Sequence, residues 1–205
     1  FPSDGKPYSP HSYVNNIYSD YLDEFLSFGV AAVASSVDGA NMSGPGLGYR
    51  DIAGFPRSAS AWRADGYYAN IPAYPDVAQE YQSTRAPTRD GSIIYYWPID
   101  QGLKKFTVAT NTHSSISGSG GAISSRLSMN SDQTKTLHVS NPAVTGVWAV
   151  RTCDLSTGTR TAITVSGDPP PTGLYCYGVE WVESIGKYVT VWITAEAFNG
   201  QPTTV

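Results

Sequence analysis

Residues 173–195, GLYCYGVEWVESIGKYVTVWITA, show most plainly how this chain folds. Most of the stretch alternates or runs apolar, and it is rich in Tyr, Trp and Val, which favour β-strands. It is interrupted only at ESIG, residues 183–186, where the glycine can adopt the positive φ that a short hairpin connection needs. The stretch therefore predicts two antiparallel strands joined by a tight turn.

Similar strand signals fill most of the chain from residue 92 onward. SIIYYWPI (92–99), KKFTVATN (104–111), KTLHVSN (135–141) and GVWAVRTC (146–153) are typical strand sequences separated by polar turns such as DLSTGT. Short strands at near-even spacing indicate an antiparallel sandwich or barrel. We therefore expect a mainly β fold, a compact antiparallel β-barrel or sandwich with long loops and at most one or two short helices.

The first part of the chain differs from the rest. Residues 37–89 are rich in Gly and Pro and are predicted to be loops. One helix is predicted before them, capped by Ser19 or Asp20 and ended by Gly29. The apolar positions that recur in helical register are Ile17, Tyr18, Tyr21, Leu22, Phe25 and Leu26.

These patterns predict a single domain over residues 1–205, loop-rich over 1–90 and strand-rich over 91–198. The chain opens on Phe1 rather than on Met, which predicts a fragment excised from a larger chain, either a mature secreted protein or one domain of a larger protein.

The charge composition excludes several classes of partner. Only 15% of the residues are charged, the net charge is −4, and no basic cluster exceeds Lys104 and Lys105. Nucleic acids and anionic membrane surfaces are bound mainly through clustered Lys and Arg, so neither is an expected partner. No apolar run approaches eighteen residues, so membrane insertion is not expected either.

The two cysteines, Cys153 and Cys176, both fall in predicted strands. If those strands are neighbours, a disulfide between them is geometrically possible. The other interpretation is two buried free thiols, because free Cys is among the most buried residue types. The sequence leaves both alternatives open.

The histidines do not indicate a metal site. His11, His113 and His138 lie far apart, and no metal-binding spacing links them to cysteines. His138 alternates with Leu137 and Val139, which predicts that it faces the polar side of its strand.

No catalytic site is evident either. The segment SGSGG fails the register of a nucleophile elbow. Glu180 and Glu183 flank Trp181, but a spacing of three along a strand places them on opposite faces, so they are not expected to act together as a glycosidase pair. We therefore expect no enzyme, and we predict no catalytic, cofactor-binding or metal-binding residue.

Recognition is the remaining class of function. Tyr, Ser, Gly and Asn, which replace the missing charge, are favoured at recognition surfaces. Aromatic side chains in loops can stack on sugars or anchor protein partners, and about half of them are expected to pack beneath the loops instead. The candidates are Tyr8, Tyr13, Tyr49, Phe55, Trp62, Tyr67, Tyr68, Tyr74 and Tyr81.

In size and texture the chain resembles the capsid spike (projection) domain of an astrovirus, the avian type in particular. The resemblance is carried by the loop-rich opening, by SIIYYWPID, and by the strand series from GVWAVRTCDLSTGTRTAITVSG to YGVEWVESIGKYVTVWITA. It implies a spike on the virion surface that mediates host-cell attachment by binding a receptor, and that presents epitopes to antibodies. No family binding residue can be carried over, so the receptor-binding residues stay unknown.

The resemblance also implies a homodimer. A two-fold interface needs an exposed apolar patch, which the strands that carry Trp181 and Trp192 could supply. The alternative function is a secreted microbial carbohydrate-binding protein or a glycoside hydrolase on a β-sandwich.

Overall fold

The computed structural model describes residues 16–28, 52–64, 67–69, 84–97, 102–117, 127–139, 149–164, 166 and 174–194. Within these ranges twelve strands form four small sheets, all antiparallel, and each sheet is built from strands that follow one another along the chain. The described strands form no closed barrel and are consistent with a sandwich, which confirms the mainly β fold class.

The first sheet contains β1 (Asn16–Ser19), β2 (Glu24–Phe28) and β3 (Ile52–Pro56) in that order. The predicted helix is therefore wrong. Its apolar residues form a hairpin in which Tyr18 pairs with Phe25, with ring centroids 4.8 Å apart. The hydrogen bonds between β2 and β3 favour a strand here, although the apolar residues also recur with a helical period. Asp23, at φ 54°, lies in a turn conformation that an α-helix does not contain.

The second sheet contains β4 (Thr84–Pro87), β5 (Ile93–Trp97), β6 (Lys104–Thr107) and β7 (Thr112–Ser115). The third contains β8 (Lys135–Val139), β9 (Val150–Asp154) and β10 (Arg160–Ala162), and the fourth pairs β11 (Leu174–Val182) with β12 (Lys187–Thr194). A 3-10 turn, Glu183–Ile185, and Gly186 at φ 60° join the last two strands, as the sequence predicted.

Strand β5 is apolar on both faces because the sheet that contains it lies between two cores. On one face Ile94 and Tyr96 join the core shared with β1–β3. On the other face Tyr95 and Trp97 pack against the core built from β8, β9 and β11. Strands covered on both faces read as continuous apolar runs, which explains the sequence IIYYW.

The prediction that residues 37–89 are loops is wrong at β3 and β4, which both lie in that segment. Glycine and proline misled the prediction. β3 includes Gly54 and Pro56, and β4 ends on Pro87. None of the helical structure in the described ranges is long and apolar enough to cross a lipid bilayer.

Candidate functional site

A cavity of about 430 Å³ opens where turns from different sheets meet, and we call it the groove. Its lining combines aromatic rings, carboxylates, a guanidinium, amides and hydroxyls. The lining residues are Tyr18, Pro87, Thr88, Arg89, Leu127, Ser128, Met129, Asn130, Gln133, Glu180, Trp181 and Glu183. Its walls come from β1, the β4–β5 turn, the segment before β8 and the end of β11.

The end of β11 supplies one wall. Glu180 and Trp181 lie in the strand, whereas Glu183 lies in the 3-10 turn that follows it. Because the backbone leaves the strand at Val182, Glu183 returns to the same cavity as Glu180. The expectation that these two carboxylates lie apart on opposite faces is therefore wrong.

Trp181 is held in place from several directions. Its indole N–H donates to the Glu183 carboxylate at 2.6 Å, and its backbone N–H donates to the Ser128 hydroxyl. The Tyr188 ring meets the indole edge-on with centroids 4.9 Å apart, and the Tyr188 hydroxyl donates to the Lys135 carbonyl at 2.9 Å. The ring therefore has a fixed orientation at the groove, which is what a stacking surface for a ligand requires.

The β4–β5 turn positions Arg89. Asp90 accepts hydrogen bonds from the Ser92 backbone N–H at 3.1 Å and from the Thr88 hydroxyl at 2.9 Å, and these bonds lower the pKa of its carboxyl group. Gly91 at φ 68° completes the turn, and a Cβ there would lie 2.6 Å from the backbone of Ser19. The turn is thus fixed on both sides of Arg89.

Arg89 links the walls of the groove. Its guanidinium lies 3.8 Å from the Glu183 carboxylate, and its backbone N–H donates to the Gln133 side-chain carbonyl. Gln133, at φ 57°, belongs to a turn that Asn130 closes by accepting the Lys135 N–H at 2.8 Å. A second, more open cavity of about 480 Å³ shares Thr88, Arg89 and Gln133 with the groove.

The two carboxylates of the groove are open to solvent. A glycosidase acid has to be shielded from water. Both groove carboxylates are exposed, and the side chain of Glu183 retains 62% of its accessible surface. Among the residues that the structure describes, no three His, Cys, Asp or Glu side chains are grouped so as to hold a metal ion.

A buried carboxylate lies away from the groove, at Glu24, which is 0% exposed. The Arg63 guanidinium donates to it at 3.1–3.3 Å, and the Tyr68 hydroxyl donates at 2.9 Å. A Cβ at position 54 would lie 2.0 Å from a Glu24 oxygen, so Gly54 leaves the space that the carboxylate occupies. Burial, and then the contact with Glu24, raise the pKa of Tyr68.

The predicted position of His138 is wrong. The side chain is 4% exposed and packs edge-on against Trp97 at 4.8 Å, because the second sheet covers the face of β8 that was expected to be polar. Its Nε2 lies 2.8 Å from the Thr136 hydroxyl. Burial, and then the charges of Arg160 and Arg151, lower the pKa of His138 to about 3.

His113 has a structural role as well. Its Nε2 lies 2.9 Å from the Ala69 carbonyl, and its Nδ1 lies 2.8 Å from the Tyr96 hydroxyl. The imidazole therefore donates to the carbonyl and accepts from the phenol, and burial lowers its pKa. His11 lies outside the described residues.

Cys153 forms no disulfide with a described residue, its side chain is 0% exposed, and burial raises the pKa of its thiol. The side chain of Cys176 lies outside the described residues, so the disulfide stays an open alternative.

Thiol titration decides between the two states of the cysteines. We expect the native protein to react slowly with a thiol reagent, because Cys153 is buried and poorly ionised. After unfolding in guanidinium without reductant, two thiols per chain should react. A count of zero would establish the bridge between Cys153 and Cys176.

The loop aromatics separate into core and surface. Tyr68 is buried, Phe55 packs against Trp62 at 5.3 Å, and Tyr67 is exposed. Tyr8, Tyr13, Tyr49, Tyr74 and Tyr81 lie outside the described residues. The sequence analysis missed Tyr18 and Trp181 as groove residues because their segments were assigned to a helix and to a strand. The signal that the sequence offered was the position of Trp181 at the end of an alternating strand, directly before a turn.

The surface of the β11–β12 hairpin differs from the expected aromatic patch. Trp192 packs against a core, while Val189 and Val191 are 41% and 50% exposed. The homodimer stays a prediction.

Comparison with known proteins gives no family. No protein-family model matches the chain, and no curated protein matches its sequence. Among solved structures it is similar to hydrazine synthase of Kuenenia stuttgartiensis, with a TM-score of 0.53 and 11% identity over 88% of this chain and 42% of that chain. At this identity the likeness bears on the fold alone.

Two further solved structures show weaker likeness. The WD40 β-propeller domain of Doa1 has a TM-score of 0.45 and 10% identity over 85% of this chain and 45% of that chain. Dipeptidyl peptidase 4 of Porphyromonas gingivalis has a TM-score of 0.45 and 7% identity over 87% of this chain and 29% of that chain. The chain thus spans less than half the length of each of the three structures.

Proposed function

We propose that this chain is a non-catalytic recognition domain and that the groove binds a saccharide. The observation that carries the proposal is the fixed Trp181 ring beside hydrogen-bonding groups of several kinds, the Arg89 guanidinium, the Gln133 amide and the Glu180 carboxylate. Sugars present apolar C–H faces to aromatic rings and hydroxyl groups to charged and amide side chains, so they match such a lining.

Attachment to a host cell is the proposed setting for this activity. The resemblance to a capsid spike implies a receptor on the cell surface, and a glycan receptor would fit the groove. The virion-surface location, the receptor and the antibody epitopes all stay predictions. The sequence that flanks this chain in its reading frame tests them, because a basic, shell-forming capsid region would support the spike and an adjacent signal peptide would contradict it.

Binding to a glycan array is the direct test of the groove. We expect the wild-type chain to bind a subset of glycans and Trp181→Ala to weaken that binding at least tenfold, because truncating a central aromatic anchor costs about 2 kcal/mol or more. Tyr67→Ala is the matched control, since Tyr67 is an exposed aromatic side chain outside the groove. Equal loss in both variants, or no glycan bound at all, would overturn the proposal.

The glycoside hydrolase alternative has its own readout. Both groove acids lie beside Trp181, so the glycans that bind should also be incubated and examined for cleavage. We expect no turnover. Hydrolysis that is lost in Glu180→Gln or Glu183→Gln, with binding retained, would make the groove an active site instead.

A further inference from the structure

One face of the third sheet brings several basic side chains together. Thr136, Cys153 and Arg160 are cross-strand partners in one row across β8, β9 and β10. His138 and Arg151 are partners in the next row. Residues that pair in this way, and those two positions along a strand, share a face of the sheet. His138, Arg151 and Arg160 therefore lie on the same side, and we call these three residues the basic face.

The three basic groups affect one another electrostatically. After desolvation, the charge of Arg160 and then that of Arg151 lower the pKa of His138. Arg160 is half-buried, and its pKa is lowered by desolvation and also by the charge of Arg151. The Cys153 thiol contacts Arg160 and raises its pKa. Among the described residues no carboxylate acts on His138 or Arg160, and the salt bridges involve other arginines.

The basic face also contains an unsatisfied polar atom. Nδ1 of His138 is buried and has no hydrogen-bond partner among the described residues, although Nε2 contacts Thr136. Leaving such an atom unpaired is unfavourable in a protein interior. Arg151 is exposed and Arg160 is half-buried, so both guanidinium groups can be reached from solvent, whereas His138 lies beneath Trp97. In a chain with a net charge of −4, Arg151 and Arg160 lie side by side with no carboxylate among the described groups that act on Arg160.

We propose that the basic face binds a tetrahedral oxyanion, phosphate or sulfate, either as the free ion or as the ester group of a larger ligand. Two guanidinium groups present planar N–H forks that match oxyanion geometry, and the charge of the anion would offset the mutual repulsion of Arg151 and Arg160. Water can hydrate the exposed Arg151, whereas the half-buried guanidinium of Arg160 has only the weakly polar Cys153 thiol as its described partner. The basic face shares no residue with the groove, so the inference does not rest on the proposed function.

Thermal unfolding at constant ionic strength tests the inference. Inorganic phosphate is titrated from zero to about 10 mM at pH 7.5 while sodium chloride is lowered to compensate. Because the folded state alone holds the site, Tm is expected to rise with saturation, by about 5 °C at a hundredfold excess over Kd. A rise that never saturates, or no rise, would contradict the inference, since non-specific salting effects do not saturate at these concentrations.

Variants assign the effect to the basic face. Arg151→Gln lies at an exposed position and should fold, and we expect it to weaken phosphate binding at least tenfold. Arg160→Gln should abolish the shift. Arg57→Gln, which removes an exposed guanidinium outside the basic face and the groove, is the matched control and should keep the full shift. An unchanged shift in both Arg151→Gln and Arg160→Gln would overturn the assignment.

A comparison of ligands identifies the source of the oxyanion. Glycerol phosphate is titrated in the same way as inorganic phosphate. Tighter binding of the ester would support an esterified ligand, whereas equal or weaker binding would support the free ion. Citrate serves as the carboxylate control, and a larger saturable shift with citrate than with phosphate would contradict the tetrahedral class.

Discussion

Replacing Arg63 by methionine is expected to lower the free energy of unfolding by about 3 kcal/mol at pH 7. The substitution removes the guanidinium that donates to Glu24, and the carboxylate is 0% exposed, so it is left with the Tyr68 hydroxyl as its described partner. A buried charge that loses its counter-ion cannot be compensated by water. Equilibrium denaturation with urea measures the change.

Two comparisons isolate the cause. Arg57→Met removes the exposed partner of Asp23, in the turn next to Glu24, and is expected to unfold within error of the wild type. In a double variant, Glu24→Gln is added to Arg63→Met to remove the orphaned charge and should recover about half of the loss. If Arg63→Met lowered the free energy of unfolding no more than Arg57→Met does, the prediction that the buried Arg63–Glu24 pair stabilises the fold would be wrong.

Acidification is expected to destabilise the protein below about pH 6.5 through His138. In the unfolded chain its imidazole titrates near 6.5, whereas in the folded protein its pKa is about 3. Between these two pKa values the unfolded state therefore binds a proton that the folded state does not bind. The stability that His138 contributes is complete above pH 6.5 and is lost progressively as the pH falls toward 3, at about 1.4 kcal/mol per pH unit within that window.

The groups that face His138 determine the sign of this effect. Arg151 and Arg160 are cationic, and Cys153 and Trp97 offer no negative charge at these pH values, so none of them favours the imidazolium. Hydrogen bonds lower the pKa of the Asp90 carboxyl group, which moves its titration away from that of histidine. The difference between the wild type and His138→Gln over pH 6.5 to 4.5 therefore reports on this imidazole.

Urea denaturation at pH 7.5 and pH 4.5 measures the effect. The wild type should lose about 2–3 kcal/mol more between these two values than His138→Gln does. His113→Gln is the matched control; because burial lowers the pKa of His113 in the same direction, it should remove part of the slope but less than His138→Gln. An identical pH slope in the wild type and in His138→Gln would show that the imidazole is not buried in neutral form.

The accuracy of the sequence predictions depended on whether local pattern or distant packing determines each element. The hairpin at residues 174–194 was predictable because alternation, a tight turn and Gly186 all indicate the same structure. The segment from Ile17 to Leu26 was not, because its apolar residues satisfy a helical period as well as a strand pairing. Only the partner strand β3, far along the chain, favours the hairpin.

The groove was beyond sequence reasoning for a related reason. Arg89, Gln133 and Glu183 each lie in a turn whose local hydrogen bonds can be anticipated, but their meeting depends on how separate sheets pack. His138 shows the same limit. The sequence of β8 alternates between apolar and polar residues, as in a strand with one exposed face. The face that carries His138 is covered by the ring of Trp97, which belongs to another sheet.

The position of β5 between two cores has a mechanical consequence. Ile94 and Tyr96 close one apolar cluster while Trp97, on the same short strand, closes the other. Unfolding of either cluster therefore displaces β5, whose side chains also pack in the other cluster. The two halves of the described structure should come apart in a single concerted event, with the amides of β5 among the last to become accessible to solvent deuterium.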